Sequence, residues 1–277
     1  MIQHNQGTFK GADGLDLFYQ SWLPESGADA TLVIVHGLGE HSGRYQNVVN
    51  HFVPQGYAIY SFDHRGHGRS PGQQGYVNSF DEFVADLGAF VQMVSQRETG
   101  KPFFLLGHSM GGCITLNYVI RHPEGLNGVI ASAPAVGALD IPPILLLLSR
   151  AMEKLAPKMS VATGLDATAV SRNPDVVAAY QNDPLVHGKG SPRFAMEFKR
   201  SAEWAQANAG RIQLPFLMVH GSHDRLVNVE NSRTFFASLT QSDKKLLVYE
   251  GGFHELHNDI IYEQELADIE AWLMEHR

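Results

Sequence analysis

The chain has 277 residues, a single cysteine and a formal net charge of −8, and 44% of its residues are hydrophobic. The acidic balance argues against nucleic acid as a partner and against a polybasic membrane anchor. One cysteine, Cys113, excludes an intrachain disulfide framework and fits a reducing compartment. The first residues, Met1 to Gln6, carry no basic stretch and no apolar stretch, so no secretory leader is expected. No apolar run approaches the length of a transmembrane helix. A cytoplasmic location is expected.

In chain order, residues 8–10 and 15–22 read as strands around Ala12-Asp13-Gly14, a hairpin signal that gives the sheet an antiparallel edge. Residues 31–35 are a continuous apolar run, the mark of a strand covered on both faces. Residues 45–52 predict a helix, stopped by Gly56. Residues 57–62 predict the next strand, and Asp63-His64-Arg65-Gly66-His67-Gly68-Arg69-Ser70 follows it. We read this dense polar turn as structural, with Asp63, His64 and Arg65 pairing with one another and with loop backbone. His64 and His67 lack zinc-like spacing, so no metal is expected. Ser79 is expected to cap a helix over 81–96 whose Phe83, Leu87, Phe90, Val91 and Val94 share a face.

Residues 103–106 read as a buried strand. Gly107-His108-Ser109-Met110-Gly111 follows, and residues 114–120 are an apolar-periodic helix. That strand–turn–helix context makes the Gly-x-Ser-x-Gly run a nucleophile elbow, which strains the Ser109 backbone and lifts its hydroxyl clear of the sheet. Cys113, inside the helix, reads as a small buried side chain. Residues 128–132 predict another strand. The alternation of strand and helix predicts a mostly parallel sheet flanked by helices.

Over residues 137–210 the pattern is helical, with prolines as breaks and no strand-like run. We expect a helical cap inserted into a core of residues 1–136 and 211–277. The start of the cap, 141–148, is nearly all apolar and too short to span a bilayer. It reads either as a helix buried against the main domain or as a lid making peripheral membrane contact. Met152 and Met159 suit either an acyl pocket or gap-filling in the core. Strands are then expected at 216–220 and 245–249, with helices at 228–239 and 260–275.

A serine hydroxyl needs a base, and the base needs a third group to orient it. Asp224 follows strand 216–220 and His254 follows strand 245–249. The order Ser109, Asp224, His254 is that of an α/β-hydrolase, with each residue on a loop at the carboxyl edge of the sheet. His223 and His257 compete for the role of base. His254 is preferred because it follows the Gly251-Gly252 turn directly at the strand end. In the His36-Gly37-Leu38-Gly39 loop the Leu38 N–H is expected to be one oxyanion donor, and the Met110 N–H the other.

Four stretches together resemble the monoacylglycerol lipases, whose wider group includes lysophospholipases. They are His36-Gly37-Leu38-Gly39-Glu40-His41-Ser42-Gly43-Arg44-Tyr45, the 63–70 turn, Gly107-His108-Ser109-Met110-Gly111-Gly112, and Tyr249-Glu250-Gly251-Gly252-Phe253-His254-Glu255-Leu256-His257. The resemblance runs over nearly the whole chain, including Ala179-Tyr180-Gln181-Asn182-Asp183-Pro184-Leu185. It implies an α/β-hydrolase fold with a lid, and cleavage of monoacylglycerol to fatty acid and glycerol without metal or cofactor. It implies the same roles for Ser109, Asp224, His254, Leu38 and Met110. It also implies that Glu40, Arg44, Tyr180 and His257 surround the glycerol side of the pocket. A lysophospholipase or broad-specificity carboxylesterase would use the same machinery with a different pocket. A lipid-binding protein on a hydrolase scaffold is the reading from another class, and a complete ordered triad argues against it.

Overall fold

A computed structural model of the chain describes residues 2–138 and 143–277, with the backbone alone at Pro143 and Leu145. β1 (Ile2–Lys10) and β2 (Asp16–Pro24) form the antiparallel hairpin, with Lys10 opposite Asp16. Both outrun the expected strands. β1 lies at the sheet edge and is mostly exposed, so its polar residues blur the apolar alternation.

Next come β3 (Ala30–Val35), α1 (Gln46–Phe52), β4 (Tyr57–Phe62), α2 (Asp81–Arg97), β5 (Phe103–His108), α3 (Met110–Arg121) and β6 (Gly128–Ser132). After them lie α4 (Pro143–Leu155), β7 (Val161–Ala162), α5 (Pro174–Asn182), β8 (Lys189–Gly190) and α6 (Pro192–Asn208). The chain closes with β9 (Phe216–Gly221), α7 (Val229–Ser238), β10 (Lys244–Tyr249) and α8 (Tyr262–His276).

The main sheet runs in the order β1-β2-β4-β3-β5-β6-β9-β10 and is parallel from β4 onward. β3, β4, β5, β6 and β9 bury every residue, because both faces are covered. Val33, Leu105, Ala131 and Met218 point into the core beneath α2, α3, α6 and α7. Their neighbours Leu32, Leu106, Ile130 and Leu217 point into the core beneath α1 and α8. Each large aliphatic side chain buried this way contributes about 1.5–3 kcal/mol. α3 lies against the sheet with every residue from Met110 to Ile120 buried.

β3 sits between β4 and β5. The chain therefore leaves β3 to one side and returns to its other side at β5. At such a switch point the loops after two neighbouring strands diverge and leave a crevice at the carboxyl edge.

Two expectations are corrected. Ser79 is not the N-cap of α2: Phe80 holds that place with helical backbone, and Ser79 Oγ accepts the Asp81 N–H at 3.3 Å from one residue further out. A strand pair does interrupt 137–210, with Val161 opposite Gly190 and Ala162 opposite Lys189. Two residues per strand are too few to leave a period in the sequence. The apolar run 141–148 is open to two readings in the sequence, and its Ile141 and Pro142 lie outside the described residues. Ile144, Leu147 and Leu148 are 64%, 63% and 52% exposed, so this face is not buried against the main domain. At the other end of the insertion, α6 puts Ala202 and Ala205 into the core shared with α3.

Candidate active site

The elbow is built as the sequence requires. Ser109 has φ 54° and ψ −120°, a conformation that costs about 1–3 kcal/mol for a residue with a side chain. Packing enforces it. A Cβ on Gly111 would collide with the carbonyl oxygens of Val35 and His36, and one on Gly107 with Thr115 Oγ1. The Ser109 N–H donates to Ser132 O at 3.0 Å, and its carbonyl accepts from Cys113 and Ala135 at 3.1 and 3.0 Å. The N-terminus of α3 adds its dipole at the same point. Cys113 is buried, and burial pushes its thiol up to about 12.

His254 donates its Nδ1–H to Asp224 Oδ2 at 2.7 Å. Asp224 is held from every other side. Its Oδ1 accepts the N–H groups of Leu226 and Val227 at 2.8 and 2.9 Å. Its Oδ2 also accepts His220 Nε2–H at 3.1 Å, while Ser232 Oγ donates to His220 Nδ1 at 2.7 Å. Burial pushes the Asp224 carboxyl up, but the charge and hydrogen bond of His254 and the contact with His220 outweigh it. Its pKa lies well below the usual carboxylate range. Burial likewise pushes His254 down, but the Asp224 charge prevails and the net shift is upward.

The rival histidines behave otherwise. Burial pushes His257 down to about 4, and its ring stacks on Tyr45 with centroids 4.6 Å apart. His223 is exposed beside Glu250. His108, packed 4.6 Å from His254, is held well below the imidazole range by burial and by its histidine neighbours. Only His254 of these four both meets Asp224 and lines the cavity beside Ser109.

Gly37 and Leu38 follow β3 beside the serine. A Cβ on Gly37 would stand 3.2 Å from Ser109 Cβ. Among the described residues, no acceptor pairs with the N–H of Leu38 or Met110. Two backbone donors thus remain free on either side of Ser109, as an oxyanion hole requires.

Glu40, Arg44 and His257 form one buried cluster, but not one layer. Glu40 lines the cavity with Tyr180, and its Oε1 accepts the Gly37 N–H at 2.6 Å and the Tyr45 hydroxyl at 2.8 Å. Arg44 stands behind, bidentate to Glu255 at 2.6 and 2.8 Å and 3.1 Å from Glu40 Oε2. Its guanidinium lies 4.6 Å over the Tyr180 ring. Burial raises Glu40. Burial acts the same way on Glu255, but the facing Arg44 charge outweighs it and lowers Glu255. Arg44 and His257 do not line the cavity; they support the residues that do.

The 63–70 turn is structural, but its three leading residues do not pair with one another. Asp63 accepts from Ser42 N, Ser42 Oγ and Arg69 N at 2.8, 2.6 and 2.8 Å. The His64 N–H donates to His36 Nε2 at 3.0 Å. Arg65 spans Asp86, Asp13 and Glu82. The turn therefore braces the loop after β3. Among the described residues no group of three or more His, Cys, Asp or Glu is arranged to hold a metal ion.

The cavity has a volume of about 600 Å³. Its polar lining includes Ser109, His254, Glu40 and Tyr180, and its apolar lining Leu148, Met152, Met159, Phe194 and Phe198. His220 and Glu255 are the site residues that sequence reasoning passed over. His220 had one visible signal: it closes the strand-like run 216–220 four residues before Asp224, much as His108 precedes Ser109.

The Hydrolase_4 family, described as serine aminopeptidase, S33, matches residues 26–261. A monoacylglycerol lipase of Mycolicibacterium smegmatis is 37% identical over 274 residues, covering 98% of each chain. The crystal structure of a monoacylglycerol lipase from Paleococcus ferrophilus superposes with a TM-score of 0.83 at 32% identity, covering 100% of both chains. A soluble variant of the monoglyceride lipase from Saccharomyces cerevisiae, solved with a substrate analog, gives a TM-score of 0.87 at 25% identity, covering 100% of this chain and 95% of that one. The architecture is that of the α/β-hydrolases.

Proposed function

The chain belongs to the Hydrolase_4 family of serine hydrolases, and we propose that it cleaves monoacylglycerols to fatty acid and glycerol through an acyl-enzyme. Ser109 is the nucleophile, His254 the general base and Asp224 its orienting partner. The observation that carries the reading is one cavity lined by both a strained Ser109 and an Asp224-paired His254, together with the apolar side chains of Met152, Met159, Phe194 and Phe198.

His254 Nε2 takes the Ser109 proton as Oγ attacks the ester carbonyl. The oxyanion rests on the N–H groups of Leu38 and Met110. As the tetrahedral intermediate collapses, His254 gives the proton to the departing glycerol oxygen. Water, deprotonated by the same ring, then hydrolyses the acyl-enzyme and frees the fatty acid. Glu40 and Tyr180, both in the cavity wall, suit a hydroxylated leaving group.

Size supports a single chain. A cavity of about 150 Å³ takes up one benzene, so one of about 600 Å³ houses roughly two dozen non-hydrogen atoms. That matches a long acyl chain with its glycerol.

Residues 137–210 act in this reading as a cap. α4 is 13 residues long, about 20 Å, short of the roughly 30 Å hydrocarbon core. No described helix is long and apolar enough to cross a membrane. Exposed Ile144 and Leu147 lie on the same helix as Leu148, which lines the cavity. That continuity supports peripheral contact with a lipid surface, from which substrate would enter.

The test is fatty-acid release from matched monoacylglycerol, diacylglycerol, triacylglycerol and lysophosphatidylcholine, with Ser109→Ala beside the parent. Monoacylglycerol is expected to be preferred by at least tenfold. Faster release from lysophosphatidylcholine would make the protein a lysophospholipase with the same triad.

A further inference from the structure

The loop that carries Leu38 is gripped from two sides. From within the loop, Glu40 holds the Gly37 N–H. From outside, the segment after α5 holds Gly39 and His41. The His187 N–H donates to the Gly39 carbonyl at 2.9 Å. His41 donates its Nε2–H to Asp183 Oδ2 at 2.9 Å, and its Nδ1 accepts the Gly43 N–H at 3.1 Å. Asp183 Oδ1 accepts the Leu185 N–H at 2.8 Å. One carboxylate thus fixes both the His41 ring and the turn that leads to His187.

Leu38 lies between these pinned neighbours. The approach is close enough to need glycine: Gly39 has φ 77°, and a Cβ there would strike the His187 carbonyl oxygen. The His41 and Asp183 side chains are only 10% and 25% exposed, so the pair is not a solvent-screened surface bridge. Neither residue lines the cavity.

We infer that Asp183 is a positioning residue for the oxyanion hole. Acting through His41, and beside the His187–Gly39 backbone bond, it holds the peptide bearing the Leu38 N–H beside Ser109. The inference rests on the serine-hydrolase reading above, though not on which ester is cleaved. It makes part of the insertion a fixed component of the catalytic centre. An interaction that tightens only around the oxyanion raises kcat and leaves KM alone.

Asp183→Ala removes both acceptors, whereas Asp183→Asn keeps one. The full chain is assayed with a long-chain monoacylglycerol and with p-nitrophenyl butyrate. Binding is measured for a long-chain trifluoromethyl ketone, which forms an oxyanion with Ser109, and for a monoacylglycerol ether, which cannot. Complete loss of an oxyanion donor costs about 10²–10³ in kcat. Asp183→Ala is therefore expected to lower kcat about tenfold or more on both esters, with KM within twofold. Ketone affinity should fall by a similar factor and ether affinity should hold. Asp183→Asn should fall between, and adding His41→Ala to Asp183→Ala should slow the enzyme no further.

An Asp183→Ala protein with kcat within twofold of the parent overturns the inference. So does equal loss of ketone and ether affinity, which would mark a merely structural role. If Asp183→Ala melts before assay, a folded Asp183→Asn with parental kcat and parental ketone affinity overturns it instead. A parent that hydrolyses the butyrate but no monoacylglycerol removes the substrate reading alone, and the Asp183 comparison is then decided on the butyrate.

Discussion

Between β6 and β9 the two halves of the insertion treat their apolar residues in opposite ways. In α4, Ile144, Leu147 and Leu155 are exposed. In α6, Phe194, Met196, Ala202 and Ala205 are buried. The attachments differ as well. α6 meets α3 through small side chains, with Asn117 Nδ2 donating to Ser201 O at 3.3 Å. α4 is tied to α6 by charge, with Arg200 bidentate to Glu153 at 2.8 and 2.9 Å. The Arg200 side chain is half exposed and that of Glu153 is buried, so the pair is only partly screened by solvent. Between these halves, Ser171 Oγ donates to Asn258 O at 2.9 Å and Arg172 pairs with Asp259, which accepts the Phe253 N–H beside His254. The α6 half is packed on the core, and the α4 half exposes apolar side chains to the surroundings.

The largest effect lies in the centre that both halves serve. Ser109→Ala should lower kcat by about 10⁴–10⁶ on long and short esters alike while the protein stays folded. Ester hydrolysis near the parental rate would end the nucleophile assignment. The comparison itself is tested by packing. Ala205→Leu should overfill the α6–α3 contact and cost about 1–3 kcal/mol in urea denaturation. Leu147→Ser, on the outward face of α4, should stay within about 0.5 kcal/mol. Equal costs would dissolve the distinction.

The outward half is tested by its surroundings. Ile144→Asp with Leu147→Asp should slow hydrolysis of monoacylglycerol in vesicles about tenfold, with soluble p-nitrophenyl butyrate within twofold. Parallel loss on both substrates would place these residues in the chemistry rather than at a lipid surface.

The smallest effect is a midpoint in pH. In the proposed mechanism neutral His254 is the base; its pKa is raised above 6.5, so kcat/KM should plateau above that raised value and fall about tenfold per unit below it. The midpoint should be the same for vesicle and soluble substrates, because Asp224 sets it and α4 does not. Stability follows the signs of the two shifts. The contribution of His254 is complete below 6.5 and fades as pH rises through its raised value. That of Asp224 is complete above its ordinary 3.8 and is lost only as pH falls through its lowered value.

Much of this was legible before any coordinates. The strand at 57–62 and the strand at 128–132 stand where the apolar runs place them, because strands covered on both faces have no polar residues to interrupt the pattern. The elbow was legible because glycine is demanded locally, one residue from where another backbone passes. The order Ser109, Asp224, His254 was legible because each follows a strand that could be read. Polar pairing was not. Arg44 meets Glu255 across 211 positions, and Arg65 meets Asp86 rather than its own neighbours.

By itself, then, the sequence determined the inner sheet, the elbow and the short set of residues able to work there, since these follow from local period and backbone sterics. Only the tertiary structure decided that His220 joins His254 on Asp224, which carboxylate holds Arg44, and which half of the insertion packs on the core. Those outcomes depend on surfaces brought together from distant parts of the chain, where one available partner is chosen over another by burial and approach.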